Sequence, residues 1–279
     1  MRELLGRYAG VLLDVYGVLL DARGPLPGAA ELIAELARRD LPYAIVTNDA
    51  SRSAQTYAAR FAGHGIAIAP ERFVTSGSLL PGYLRASGLA GARVCVLGTA
   101  DSVAYVREGG GVPLALEPGM ELDALAVCDD DGFDFLRGCE LALSAVVRAV
   151  EAGRMPALIL PNPDLVYPKG SGELGFTAGS IALLIEAALA RRFPAHDRLR
   201  FVHLGKPEPH LFADGARRLG IAPSELVMVG DQLETDVAGA RAAGIDVALL
   251  AGVSSWEHAQ HGARAIEVAP TWLLDKLAP

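Results

Sequence analysis

The sequence predicts an α/β fold built on a mainly parallel sheet. Short apolar runs alternate with helix-periodic stretches along almost the whole chain, the pattern of strands joined by crossover helices. Two of these runs, Gly10-Val11-Leu12-Leu13 and Leu226-Val227-Met228-Val229-Gly230, deliver an aspartate, Asp14 and Asp231. A composition of 51% hydrophobic and 21% charged residues over 279 residues is that of a globular chain with room for two cores.

Strands are expected at Gly10–Leu13, Tyr43–Val46, Arg93–Leu97, Ala124–Val127, Ala157–Leu160, Arg200–Leu204, Leu226–Val229 and Val247–Leu250. Helices are expected at Ala29–Arg39, Ser51–Gly63, Leu136–Ala152, Thr177–Arg191, Leu211–Leu219 and Thr235–Ala243. Pro209 suits a first helical turn, where its missing N–H costs nothing, and Gly244 reads as a helix C-terminal stop.

Asp14, Thr47, Lys206 and Asp231 each follow a strand candidate directly or within two residues. They fall in two blocks near the ends of the chain, and the middle supplies none of them. The expectation is a discontinuous core, residues 1–76 and 202–279, with a second domain, residues 77–201, inserted in it. Gly77 and the Pro194-Ala195-His196-Asp197 stretch are the expected hinges.

A net charge of −8 argues against nucleic acid as a partner, because phosphate backbones need a basic surface. No secretory signal pattern opens the chain and no apolar run reaches membrane-spanning length, so a soluble cytoplasmic protein without a membrane partner is expected. Cys95, Cys128 and Cys139 lack C-x-x-C spacing and read as buried structural thiols. Of 25 basic residues only Lys169, Lys206 and Lys276 are lysine. In such a background a lysine marks a position where a compact ammonium is wanted.

Acids at the carboxyl ends of parallel strands sit where such sheets hold ligands. Asp14 and Asp231 together suit one hard cation, and magnesium prefers a few carboxylates with water and phosphate oxygens. A cation there offsets the repulsion between Asp14 and an incoming phosphate, so the carboxylate can attack phosphorus. Thr47 offers a hydroxyl and Lys206 a fixed charge for the transferring group. Taken singly, each has a plainer reading: aspartates cap helices and turns, and Gly205-Lys206-Pro207 is an ordinary turn sequence. The ordered set favours chemistry. The two carboxyl groups should then lie within about 8 Å of each other, as the short metal–oxygen bonds of magnesium demand.

The set resembles the haloacid dehalogenase-like hydrolase superfamily. The matching motifs are Asp14-Val15-Tyr16-Gly17-Val18-Leu19, Val46-Thr47-Asn48, Gly205-Lys206-Pro207, and Gly230-Asp231 with Asp236. Thr47-Asn48-Asp49-Ala50-Ser51-Arg52-Ser53, Asn162-Pro163-Asp164 with Ala178-Gly179-Ser180-Ile181, and Gly230-Asp231-Gln232-Leu233-Glu234-Thr235-Asp236 are similar to its class IIA branch. That branch includes 4-nitrophenylphosphatase, nucleotide monophosphatase, phosphoglycolate and pyridoxal phosphate phosphatases. The resemblance implies a Rossmann-like core, an α/β cap, magnesium, a small-molecule phosphate substrate, and a homodimer formed through the cap. Asp14 would be the nucleophile, with the Tyr16 main-chain carbonyl and Asp231 as metal ligands. Thr47 and Lys206 would bind the phosphoryl group. Asp236 would orient Lys206 or a metal-bound water. Asn48, Asp49, Asn162 and Asp164 would face substrate or act in domain closure.

The departure is Tyr16, where the family's phosphatases carry aspartate as general acid and base. A carboxyl group near pKa 4 can play both parts, whereas a phenol near 10 is a poor base. Loss of such a group slows turnover by about 10²–10⁴-fold. The readings are a slow phosphatase, one in which Asp49 substitutes (unless Asp49 merely caps a helix beginning near Ser51), and a metal-independent dehalogenase. A fourth is an impaired protein that binds a phosphometabolite or a partner. Among weaker signals, Asp129-Asp130-Asp131-Gly132 reads as a turn and Lys169 as part of a glycine-rich loop. His203 reads as sheet packing, His210 as a helix start, and Trp256 and Trp272 as packing residues.

Overall fold

The computed structural model describes residues 1–170, 172–251 and 269–277. Trp256 lies outside the described residues, as does Ser171 of the glycine-rich loop. Two compact units emerge: Met1–Thr47, Ala54–Val74 and Lys206–Pro279 form one, and Asn48–Ser53 with Thr75–Gly205 the other.

The first unit carries a six-stranded sheet. From one edge its order is Trp272–Leu274, Asp246–Leu250, Leu226–Gly230, Gly10–Leu13, Tyr43–Thr47 and Phe73–Thr75. Gly10–Leu13 is paired in parallel with Leu226–Gly230 on one side and with Tyr43–Thr47 on the other. The chain therefore winds outward from Gly10–Leu13 in one direction early and in the other direction late. The reversal opens a crevice at the carboxyl ends of these central strands. The register sets Leu13 opposite Val229 and Ile45, so Asp14, Asp231 and Thr47 emerge at nearly one level.

Both faces of the central strands are buried, which is why Gly10–Leu13 and Tyr43–Thr47 read as continuous apolar runs rather than alternating ones. Helix Ala29–Arg38 buries Leu32, Ile33 and Leu36, the spacing of one helical face. Helix Ala54–Gly63 is fastened by Tyr57 and Phe61, whose rings lie 5.3 Å and 5.6 Å from that of Phe73. It begins three residues later than the sequence suggests. Thr235–Ala243 is not one α-helix either: Leu233–Val237 is a π-turn that runs into the α-helix Ala238–Ala242.

The second unit has a five-stranded sheet in the order Val202–His203, Ala157–Leu160, Ala124–Val127, Arg93–Leu97, Val112–Pro113, parallel throughout. A smaller antiparallel hairpin pairs Val166–Gly170 with Glu173–Phe176. Helices Phe135–Glu151 and Ala178–Arg192 supply much of the buried core. The strand expected at Arg200–Leu204 shrinks to Val202–His203, which bonds to one neighbour only at the sheet edge. His203 is consequently exposed, not packed in the sheet. Pro194–Asp197 is a loop inside this unit. Cys95 and Cys128 are fully buried, and desolvation pushes both thiols up to about 12, so they are inert packing groups. Among the described residues no helix is long and apolar enough to cross a membrane.

Candidate active site

Asp14 is the first residue beyond its strand, and its backbone N–H still donates to Val229 O at 3.0 Å. Its Oδ1 accepts from Val15 N at 2.8 Å and lies 2.9 Å from Lys206 Nζ. Lys206 Nζ also pairs with Asp236 Oδ1 at 2.6 Å. The other oxygen of Asp236 accepts the backbone N–H groups of Asp231 at 3.0 Å and Gln232 at 3.2 Å. Asp236 thus braces the turn that carries Asp231 while holding the ammonium, and the wide π-turn is what points it inward. Such turns recur at functional sites. Thr47, at the end of the adjoining strand, is buried as well.

Two glycines make room for this cluster. Gly17 has φ +78, and a Cβ there would stand 2.2 Å from Asp231 Oδ2. A Cβ on Gly230 would stand 2.4 Å from the Asp236 carboxylate. Any side chain at either position would occupy the space the carboxylates need.

Asp14, Asp231 and Asp236 offer ligand oxygens that all lie within 4.8 Å of one another, and all three residues are buried. The expectation that Asp14 and Asp231 converge is met. Against three carboxylates stands one ammonium, Lys206, which leaves a negative excess in a dry place. Burial first, then Asp236 and Asp14, push the Asp231 carboxyl far above its ordinary range; burial likewise raises Asp14, with Lys206 pulling the other way. Burial alone would lower Lys206, but Asp14 and Asp236 more than offset it and the ammonium is held charged. Asp231 Oδ1 is buried without a hydrogen-bond partner among the described residues. A buried, unsatisfied carboxylate oxygen is costly. A divalent cation among these oxygens would satisfy it and cancel the excess, and an all-oxygen donor set suits a hard ion. The residues present fit a divalent metal.

Tyr16 is half-buried against the core, and its hydroxyl accepts a hydrogen bond from Arg60 Nη1. The Arg60 guanidinium also lies 5.4 Å from the centre of the Tyr16 ring.

The remaining candidates belong to the second unit. Asn48 Nδ2 donates to Asp164 Oδ1 at 2.9 Å, and Asn162 Oδ1 accepts from Asp164 N at 3.0 Å. Asp49 accepts from Ser51 N at 2.6 Å and Ser51 Oγ at 2.7 Å, and pairs with Arg52 at 2.6 Å. It does not cap the following helix, which starts only at Ala54. Within the Asp129–Gly132 turn, Asp129 is raised to about 6 by desolvation and then by the nearby Asp49 charge.

Comparison with known proteins decides the family. A haloacid dehalogenase-like hydrolase model matches residues 11–111, and a second, HAD-hydrolase-like model matches residues 203–279. Mouse chronophin is 32% identical over 268 residues, covering 93% of this chain and 87% of that protein. The chain belongs to the haloacid dehalogenase-like hydrolase family.

Several phosphatases are similar in sequence or shape. Dihydroxyacetone phosphatase of Corynebacterium glutamicum is 27% identical, covering 87% of this chain and 81% of its own. A structure described as a possible sugar phosphatase from Cytophaga hutchinsonii superposes with a TM-score of 0.86 at 28% identity, covering 100% and 97% of the two chains. A glycerol phosphate phosphatase from Mycobacterium tuberculosis, in complex with magnesium, gives 0.78 at 26%, covering 98% and 77%. As a member of the haloacid dehalogenase-like family the protein is an enzyme of the hydrolase type. Asp14, Asp231 and Thr47 were visible as strand-end residues, whereas Lys206 follows a strand that the structure shortens to Val202–His203 and Asp236 sits in the π-turn. Arg60 was not visible, because it is one arginine among many and nothing local ties it to Tyr16, 44 positions away.

Proposed function

We propose that the protein is a magnesium-dependent phosphatase of the class IIA branch, acting on a small organic phosphate monoester through an aspartyl-phosphate on Asp14. One observation carries the reading: the unpartnered, buried Asp231 oxygen beside the carboxylates of Asp14 and Asp236. Asp14, Asp231 and the Tyr16 main-chain carbonyl would hold the ion, with Asp236 orienting Lys206 or acting on the ion through water. When bound, it supplies charge neutralisation between nucleophile and phosphate. Asp14 forms the bond to phosphorus. Lys206 is held at that carboxylate by Asp236, suited to charge building on the phosphoryl oxygens, and the Thr47 hydroxyl would donate to the same group. The first unit, close to the expected residues 1–76 and 202–279, would act as catalytic core, and the second, close to 77–201, as the cap that chooses the ester.

Relatives named as dihydroxyacetone phosphatase, possible sugar phosphatase and glycerol phosphate phosphatase support a small phosphorylated substrate. Asn48, Asn162 and Asp164, joined in one network, are the substrate-side candidates. Asp49 belongs with them, but its oxygens are engaged by Ser51 and Arg52, which favours a loop staple over a substitute acid. That leaves Tyr16, and turnover limited by loss of the phosphoenzyme. A homodimer through the cap is supported by the exposed Leu174, Phe176, Leu183 and Leu184. A cytoplasmic setting completes the reading.

The test is Tyr16→Asp, assayed with 4-nitrophenyl phosphate and magnesium. A rise in turnover of about 10²-fold or more is expected. Absence of phosphate release from both forms would leave a phosphate-binding protein instead. Halide release from a haloacid without magnesium would mean a dehalogenase.

A further inference from the structure

The second position after Asp14, which holds Tyr16, is more constrained than a simple replacement would be. Helix Ala54–Gly63 is locked on the core by Tyr57 and Phe61, both fully buried, and Arg60 projects from that rigid stretch. Arg60 donates to the Tyr16 hydroxyl and lies over its ring. No carboxylate among the described residues pairs with Arg60, and a neutral phenol does not compensate its charge. The contact fixes a direction rather than balancing a charge.

A phenol oxygen can accept and can donate one O–H, whereas a guanidinium only donates. With Arg60 on the accepting side, the Tyr16 O–H has to point away from Arg60. On the tight turn that Gly17 presses against Asp231, Tyr16 lies two residues from Asp14. We propose that Arg60 is a positioning residue that makes Tyr16 a donor-only group, holding its O–H for the departing ester oxygen and leaving no acceptor for water. The inference rests on the phosphatase reading above.

The chemistry balances without a further reactant. In the first half, an Asp14 oxygen bonds to phosphorus as the ester P–O bond breaks; the departing oxygen receives the Tyr16 hydrogen bond and takes its proton from solvent. In the second half, a water oxygen bonds to phosphorus, the Asp14 carboxylate leaves, and the water's proton goes to solvent. Tyr16 assists the first half and not the second.

The full-length chain with magnesium is mixed rapidly with glycerol phosphate or with 4-nitrophenyl phosphate, and alcohol and phosphate release are followed separately. Wild type is expected to show a burst of alcohol ahead of phosphate. Arg60→Met is expected to slow the burst on glycerol phosphate by about ten- to a hundredfold, the worth of one hydrogen bond to developing charge. It should barely change 4-nitrophenyl phosphate, whose leaving group needs little help. Tyr16→Phe should reproduce the pattern, and the double variant should add nothing. Arg60→Lys, which keeps a donor, should fall between, and it serves if Arg60→Met does not fold. Equal losses on both substrates with a lower unfolding midpoint would mean packing only and overturn the proposal, as would a missing burst in wild type. Turnover in wild type with an unaffected Arg60→Met sinks this inference alone; no turnover in any form sinks the phosphatase reading with it.

Discussion

Asp231 shows how a single side chain reports on a missing charge. Its carboxyl is raised by burial, by Asp236 and by Asp14, so in the metal-free protein the protonated form is favoured by the fold. Stability from such a group is fully present below the ordinary carboxylate range near 4 and is lost as pH climbs through the raised folded value. A divalent ion reverses the sign, since it binds only the ionised form. The metal-free protein should therefore lose thermal stability between about pH 4 and 9, and magnesium should restore more of it at the higher pH. Asp231→Asn should weaken the metal-free pH dependence, leaving the share due to the raised Asp14, and abolish the magnesium response. Unfolding midpoints in chelator and in magnesium check this; a variant that still gains stability from magnesium would remove Asp231 from the metal site.

At the scale of elements, two short irregular segments matter more than any regular one. The π-turn Leu233–Val237 aims Asp236 at Lys206, and an α-helical register there would rotate it away. The segment Asn48–Ser53 looks like the start of a helix but is bound into the second unit by side chains. Ser76 Oγ donates to Asn48 O at 2.5 Å, Ser102 Oγ to Ala50 O at 2.8 Å and Thr99 Oγ1 to Ser51 O at 2.6 Å. These bonds satisfy backbone groups that a helix would otherwise have taken, which is why the helix is delayed to Ala54. The pairing of Asn162-Pro163-Asp164 with Ala178-Gly179 also finds its reason here. Gly179 N donates to Asp164 O at 3.0 Å, and a Cβ on Gly179 would stand 2.3 Å from Pro163 O. Gly179→Ala should destabilise the protein by about 1–3 kcal/mol, read as a lower denaturation midpoint. An unchanged midpoint would mean that the loop yields and that Gly179 does not hold it.

For the molecule as a whole, the order of strands decides where chemistry can happen. Reversal of winding at Gly10–Leu13 puts Asp14 beside Asp231 although 217 positions separate them in sequence. The second unit exposes Leu174 at 68% and Phe176 at 66%, beside the helix bearing Leu183 and Leu184. Apolar side chains on one region of a surface mark contact sites. Phe176→Glu should turn a dimer into a monomer in sedimentation velocity. A wild type that is monomeric at tens of micromolar would dismiss the cap-mediated dimer.

The α/β class, the central strands and the strand-end residues Asp14, Thr47 and Asp231 were legible in the sequence alone; the edge strands Phe73–Thr75 and Trp272–Leu274 were not, and the strand expected before Lys206 shortens to Val202–His203. Buried parallel strands must be apolar throughout, and a polar residue directly after one is conspicuous. Arg60's grip on Tyr16, the π-turn at Asp236, the capture of Asn48–Ser53 and the exposure of His203 were decided only by tertiary structure. Each depends on which distant partner a group meets, and no local periodicity or propensity carries that information.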